Sequence, residues 1–140
     1  MIVVAESTRA MNYATLEADA VYLALMAGGV SSILPRARLD PATAPTPFTW
    51  IRFEGVGAGG DDMDRLMIAF EVHDRPGFGY WKIDRAIDRI KWMYNHKVWP
   101  VPTGSTERPR RSSYAGATGE LIDQGWNTIK RVARIAIITS

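Results

Sequence analysis

Residues 65–94 read RLMIAFEVHDRPGFGYWKIDRAIDRIKWMY, and this stretch decides the fold class. In its first part every second side chain is apolar and points to one side: Leu66, Ile68, Phe70 and Val72. A period of two residues is typical of a half-buried strand. Residues 74–77 (DRPG) then predict a turn, because proline fixes φ and glycine accepts a positive φ.

The second part of the stretch changes to the period of a helix. Apolar residues recur at spacings of four, three and four and share one face: Ile83, Ile87, Ile90 and Tyr94. We therefore predict an amphipathic helix at about 79–95 that lies across the sheet formed by the preceding strand. The stretch indicates an architecture and contains no constellation of catalytic residues.

The composition bounds the class of protein. With 140 residues, 46% of them hydrophobic, we expect a single domain over 1–140 with a substantial core. The absence of cysteine excludes disulfides, thiolate metal sites and a cysteine nucleophile, and it fits a reducing cytosol. The net charge of +2 favours a solvated surface over a nucleic-acid binder. Neither a signal peptide nor a membrane span is expected from the apolar runs.

The segments before this stretch predict a helix, a connector and a hairpin. A first helix is expected at about 13–27, capped by Asn12 or Thr15 and ended by the glycines that follow it. Four prolines make 30–47 an extended connector. Alternating aromatic and β-branched residues then predict a long hairpin at about 48–73 with a flexible, glycine-rich tip.

The segments after it predict a loop and closing strands. Prolines and glycines punctuate 97–119, which we interpret as a long irregular loop that is functional or becomes ordered against a neighbour. Strand patterns follow at about 120–139, and the last strand is apolar on both faces, so it lies centrally in the sheet or meets another subunit. The predicted fold is α+β: an antiparallel sheet of about four strands with two helices packed on one face.

The hairpin tip contains a glycine-rich motif and an acidic motif, and each lacks the surrounding pattern that the corresponding binding site requires. Residues 55–60 match G-x-G-x-x-G, but a strand pattern follows where a dinucleotide site needs a helix. Asp61, Asp62 and Asp64 lack the ligand pattern of a calcium loop. We interpret this segment as an acidic, solvated tip that is able to face a basic partner.

The residues that usually carry catalysis are isolated in this sequence. His73 and His96 are the only histidines, and they make neither a zinc site nor a convincing base. The hydroxyls of Ser112 and Ser113 have no nearby histidine or aspartate motif. We predict no enzyme active site, no metal and no cofactor.

An interaction surface is the better-supported expectation. Arg108, Arg110 and Arg111 cluster with Tyr114, a composition that suits a nucleic-acid backbone or carboxylates of a protein partner. Five tryptophans indicate exposed interface rings or, alternatively, a large aromatic core. Because the acidic tip and the arginine loop are opposite in charge, we hypothesise that they are complementary between copies of the chain. The predicted interface residues are Asp61, Asp62, Asp64, Trp99, Arg108, Arg110, Arg111 and Tyr114.

The order of elements resembles the tail terminator (tail completion) proteins of long-tailed bacteriophages. An N-terminal helix leads through a proline-rich run into PFTWIRF, and a hairpin leads to FEVHDRPG, the helix IDRAIDRI, a loop and the strand RVARIAI. The resemblance covers residues 10–139. The neck proteins that close phage heads look similar at this level.

This resemblance implies a structural virion protein without catalytic residues. Such proteins form a ring, here expected to be a hexamer, that caps the tail tube and joins it to the head. The expected partners are further copies of the chain, the tail tube protein and a head-completion or neck protein. DNA would pass through the lumen without sequence-specific binding, no membrane is involved, and the protein would be assembled in the host cytoplasm into the virion. The segments 56–63 and 99–118 would make the contacts.

Overall fold

The computed structural model describes residues 3, 8–34, 45–55, 64–106 and 108–139, and helices cover one face of an open sheet in it. The elements in chain order are α1 Thr8–Ala18, α2 Ala20–Leu25, a 3₁₀ turn Gly29–Ser32, β1 Ile33–Leu34, β2 Phe48–Gly55, β3 Asp64–Asp74, α3 Trp81–Tyr94, β4 Lys97–Trp99, β5 Arg110–Ala117, β6 Leu121–Asp123 and β7 Thr128–Thr139. No helix in these described ranges is long and apolar enough to cross a membrane.

The sheet is antiparallel except at one edge, where β1 runs parallel to β2. Six strands lie side by side in the order β1-β2-β3-β7-β5-β4, and the short β6 pairs with β7 beyond the end of β5. The hairpin of β2 and β3 and the central position of β7 are confirmed. The expectation of about four strands is wrong, because β1, β4 and β5 lie in segments predicted as a connector and a loop.

The segment 97–119 forms two strands where the sequence predicts a loop. β4 has three residues, and β5 (RRSSYAGA) is rich in small and polar residues, so neither gives a strong strand pattern. The prolines interrupt only the connection between them, at 100–109. β5 forms because it pairs with β7, and this tertiary partner outweighs a weak local preference.

The predicted first helix is two helices that break at Asp19. α1 begins at Thr8, so Asn12 and Thr15, the expected caps, lie inside it and are buried. The Asp19 carboxylate accepts a 2.7 Å hydrogen bond from the backbone N–H of Tyr22 and caps α2. The cap starts a new helix in the middle of a stretch that contains neither glycine nor proline.

Three α-helices, instead of the expected two, pack on the same face of the sheet. From α1, the Tyr13 ring lies 6.2 Å from that of Phe53. From α2, the Tyr22 hydroxyl bonds the Thr49 hydroxyl at 2.5 Å. In α3 the predicted helix over about 79–95 is confirmed, and its apolar face is buried as the spacing predicts: Ile83, Ile87, Ile90 and Tyr94. The core therefore lies between this helix layer and one face of β2, β3, β5 and β7.

Candidate functional site

The open face of the sheet, opposite the helices, holds a buried polar cluster around Glu71. Alternation along β3 places Glu71 and His73 on this face, and pairing with β2 and β7 adds two cations. Glu71 Oε1 lies 3.1 Å from His73 Nε2 and 3.1 Å from Lys130 Nζ, and Glu71 Oε2 pairs with Arg52 Nε. The other ring nitrogen, His73 Nδ1, lies 2.7 Å from Thr128 Oγ1.

Aromatic rings surround this polar cluster. Phe48 stacks on the imidazole of His73 with ring centroids 4.7 Å apart, and Trp126 lies 5.0 Å from the same imidazole. The Trp50 ring lies 5.0 Å from that of Trp126 and extends the group. His73 and Thr128 are fully buried, so their hydrogen bonds are shielded from water and are electrostatically stronger than exposed ones.

The charge of Glu71 is stabilised by its neighbours. Burial alone would raise the pKa of this carboxyl group, but hydrogen bonds from His73 and Lys130 and the charges of Lys130 and Arg52 lower the pKa to about 2. Glu71 is therefore an anion at neutral pH and links side chains from β2, β3 and β7.

The order Thr128–His73–Glu71 is that of a hydroxyl–imidazole–carboxylate relay, which activates nucleophiles in many hydrolases. A nucleophile must reach its substrate, whereas the Thr128 side chain has no exposed surface. The geometry therefore supports a structural role for this cluster. Within the described residues, no group of three or more metal-ligating side chains is arranged to hold a metal ion.

The outer side of the helix layer carries an apolar groove between α2 and α3, which we call the α2–α3 groove. Its volume is about 690 Å³, and its lining residues are Ala20, Val21, Ala24, Leu25, Arg85, Asp88, Arg89 and Trp92. The Trp92 and Val21 side chains are each 53% exposed and do not belong to the buried core. Exposed apolar surface rimmed by charged residues marks an interaction site.

An ion pair fixes the two walls of this groove to each other. Arg89 of α3 donates hydrogen bonds from Nε and Nη2 to both carboxylate oxygens of Asp19, at 2.8–3.2 Å. The same guanidinium lies 4.0 Å from the centre of the Trp92 ring. Burial alone would raise the pKa of Asp19, but hydrogen bonds from Arg89 and the Tyr22 N–H lower it below its usual range.

Replacing Arg89 with methionine should therefore destabilise the fold. Asp19 is almost completely buried and would lose its counter-charge, while the 24% exposure of Arg89 moderates the effect, so we expect a loss of about 2–3 kcal/mol of unfolding free energy. Equilibrium urea denaturation measures this loss. The control is Arg85→Met on the same helix, which should change stability by less than about 0.5 kcal/mol. Equal losses in both variants would argue against the ion pair.

The structure separates the residues predicted at an interface. Trp99 and Arg110 have no exposed surface and lie on the helix-facing side of β4 and β5, which corrects the expectation that both are on a surface loop. Arg108 and Arg111 are exposed, and Tyr114 is partly buried with Lys91 Nζ 5.3 Å from its ring. The three arginines therefore do not form one cationic cluster.

The reason is the geometry of a strand, in which neighbouring side chains point to opposite faces. Arg110 thus enters the core, and Arg111 reaches the open face beside a small pocket of about 260 Å³ that Ser113 and His96 also line. Asp61 and Asp62 fall outside the described residues. Asp64 begins β3, and the pairing register places its backbone in one row with Thr139 and Arg110.

Two features escaped the sequence reasoning although the sequence carries a signal for each. His73 is not isolated, since the alternation that puts it on the open face puts Glu71 there too. The outer face of α3 has the same spacings of four, three and four as its buried face, and each of its positions precedes a buried one by two residues. These positions are Trp81, Arg85, Asp88 and Trp92. A second stripe that contains two tryptophans predicts a second contact surface on the helix.

No protein-family model, curated protein or solved structure matches the chain.

Proposed function

We propose that this chain is a structural subunit of a phage virion that assembles into a ring, caps the tail tube and joins it to the head. The α2–α3 groove is the observation that carries the assembly part of this proposal. The order of elements in the sequence, which resembles that of tail terminators, carries the identity of the assembly.

Exposed tryptophan and arginine side chains support an assembling subunit. Trp92 and Trp81 are both about half exposed on the outer face of α3, and each ring lies against two cations. Tryptophan and arginine are the residue types that contribute most to binding at protein interfaces. Neither ring belongs to the buried core, so both are available to a partner. The groove is therefore a surface prepared for a partner.

A structural role is favoured over an enzymatic one because the sole relay-like arrangement among the described residues is buried. Thr128, His73 and Glu71 connect β3 and β7 instead of opening towards a substrate. The same subunit architecture suits a head-closure or neck protein, which is the alternative identity. A nucleic-acid-binding domain built on the arginines of β5 is disfavoured, since Arg110 faces the core.

The first test is the mass of the assembly in solution and its effect on tail tubes. We expect a single ring species, with six subunits as the resemblance implies, by sedimentation velocity and native mass spectrometry. Added to purified tail tubes, the protein should appear as extra density at one tube end by electron microscopy. A chain that stays monomeric over the whole accessible concentration range and never binds a tube end would overturn the proposal. Binding to heads but not to tubes would select the neck alternative.

A further inference from the structure

A second exposed apolar surface lies at the end of the molecule where α3 begins. Ile122 of β6 is 74% exposed, and Phe78, in the connection between β3 and α3, is 67% exposed. Leu121, the neighbour of Ile122 on β6, points to the opposite face of the sheet. The Tyr80 hydroxyl donates a 3.0 Å hydrogen bond to the Leu121 carbonyl and ties the two segments together. We call Phe78 and Ile122 the apolar tip.

The strand that carries this tip is held in a defined position. β6 pairs with β7 from Leu121↔Lys130 to Asp123↔Thr128. The Asp123 carboxylate accepts hydrogen bonds from the Trp126 backbone N–H at 3.0 Å and from Lys130 Nζ at 3.3 Å. The tip is thus presented by ordered backbone, and docking it would cost little conformational entropy.

We propose that the apolar tip of one copy docks in the α2–α3 groove of a second copy. This inference rests on the self-assembly in the proposed function and names the surfaces that carry it. Both surfaces are apolar, and each carries one charge of opposite sign that can pair across the contact. Glu120 precedes the tip, whereas Arg85 at the groove contacts the Trp81 ring and, among the described residues, pairs with no carboxylate. Docking brings Glu120 to Arg85 and leaves the apolar side chains to fill the groove.

The two surfaces have no residue in common, so the contact is head-to-tail. Each copy inserts its tip into one neighbour and receives the tip of another in its groove. Contacts of this type close into a ring when the rotation between copies divides a full turn, and otherwise continue as a filament. A symmetric dimer through a single shared patch is a different arrangement that the experiment below separates from this one.

Single substitutions test the two surfaces separately. Ile122→Asp places a charge on the tip, and Ala24→Arg fills the groove from an exposed helical position. Each should weaken self-association roughly 30-fold or more, the effect expected at the centre of an interface. Val98→Asp, at a 48% exposed position on β4, is the control and should leave association unchanged. Circular dichroism and thermal unfolding of each variant establish that its subunit remains folded.

A mixture of the two variants tests the head-to-tail arrangement. Ile122→Asp retains an intact groove and Ala24→Arg an intact tip, so an equimolar mixture should form a one-to-one dimer that cannot grow, seen by native mass spectrometry. If the mixture stays monomeric, or if either variant alone assembles like the wild type, the docking inference is overturned while the ring proposal stands. If the wild-type chain itself never associates, the proposed function fails first.

Discussion

Replacing Trp99 with alanine should lower the free energy of unfolding of the subunit by about 3–5 kcal/mol. The Trp99 side chain is fully buried, and its ring packs 5.4 Å from the ring of Tyr94 at the end of α3. Its indole Nε1 donates a 2.7 Å hydrogen bond to Ser112 Oγ, and this hydroxyl donates a 2.6 Å bond to the Tyr94 carbonyl. The substitution creates a cavity and removes the partner that orders Ser112.

Urea denaturation at low protein concentration measures this effect, since association would otherwise add to the apparent stability. Trp99→Phe keeps most of the ring and removes the indole donor, so its loss should be smaller, about 1–2 kcal/mol. The matched control is Trp92→Ala. Because Trp92 is exposed, that change should cost the isolated subunit less than about 1 kcal/mol and should weaken assembly instead. A larger loss of unfolding free energy for Trp92→Ala than for Trp99→Ala would contradict the assignment of Trp99 to the core and of Trp92 to the interaction surface.

Replacing Glu71 with glutamine should lower the unfolding free energy by up to about 3 kcal/mol near neutral pH. The pKa of Glu71 falls from an ordinary value of 4.5 to about 2 on folding, so folding favours the ionised carboxylate. Its contribution is complete above the unfolded pKa and is lost as the pH falls from about 4.5 towards 2. Glutamine has no such ionisation, so the stability difference between wild type and variant should shrink across this pH window.

Chemical denaturation at several pH values from neutral to strongly acidic tests this dependence. Glu54→Gln is the control on the same open face. Glu54 is about one-third exposed, with arginine contacts of 3.6 and 3.8 Å, and its replacement should cost less than about 1 kcal/mol. A stability difference for Glu71→Gln that stays constant down to the lowest pH would mean that the carboxylate charge is not what the surrounding side chains stabilise.

The elements whose signals are local could be predicted from the sequence. The change of period within residues 65–94 places β3 and α3, and the apolar spacing identifies the face of α3 that is buried, including Ile83 and Tyr94. The apolar side chains of α3 and β3 meet in the core between helix layer and sheet, as the pattern implies. Local and tertiary preferences therefore agree. The hairpin of β2 and β3 follows from the same kind of local pattern.

The features that depend on distant partners could not be predicted in the same way. A run such as RPRR gives no sign that Arg110 enters the core, because the strand that begins at Arg110 forms through pairing with β7 and β4. The polar cluster joins His73 to Thr128, which lies 55 residues further along the chain. The break between α1 and α2 depends on the Asp19 carboxylate, whose orientation Arg89 fixes from another helix.

The brevity of the outer strands has a consequence for aggregation. The outer strands β1 and β4 have two and three residues, whereas the central strands β3 and β7 have eleven and twelve. Beyond β4, the Asn95 side chain accepts the Tyr114 N–H at 3.1 Å, and β2 carries the charged Arg52 and Glu54. Long, flat, unpaired strand edges invite neighbouring chains to add strand by strand into amyloid-like aggregates, and short or charged edges discourage this. The short and charged edges of this sheet thus disfavour uncontrolled backbone pairing between chains.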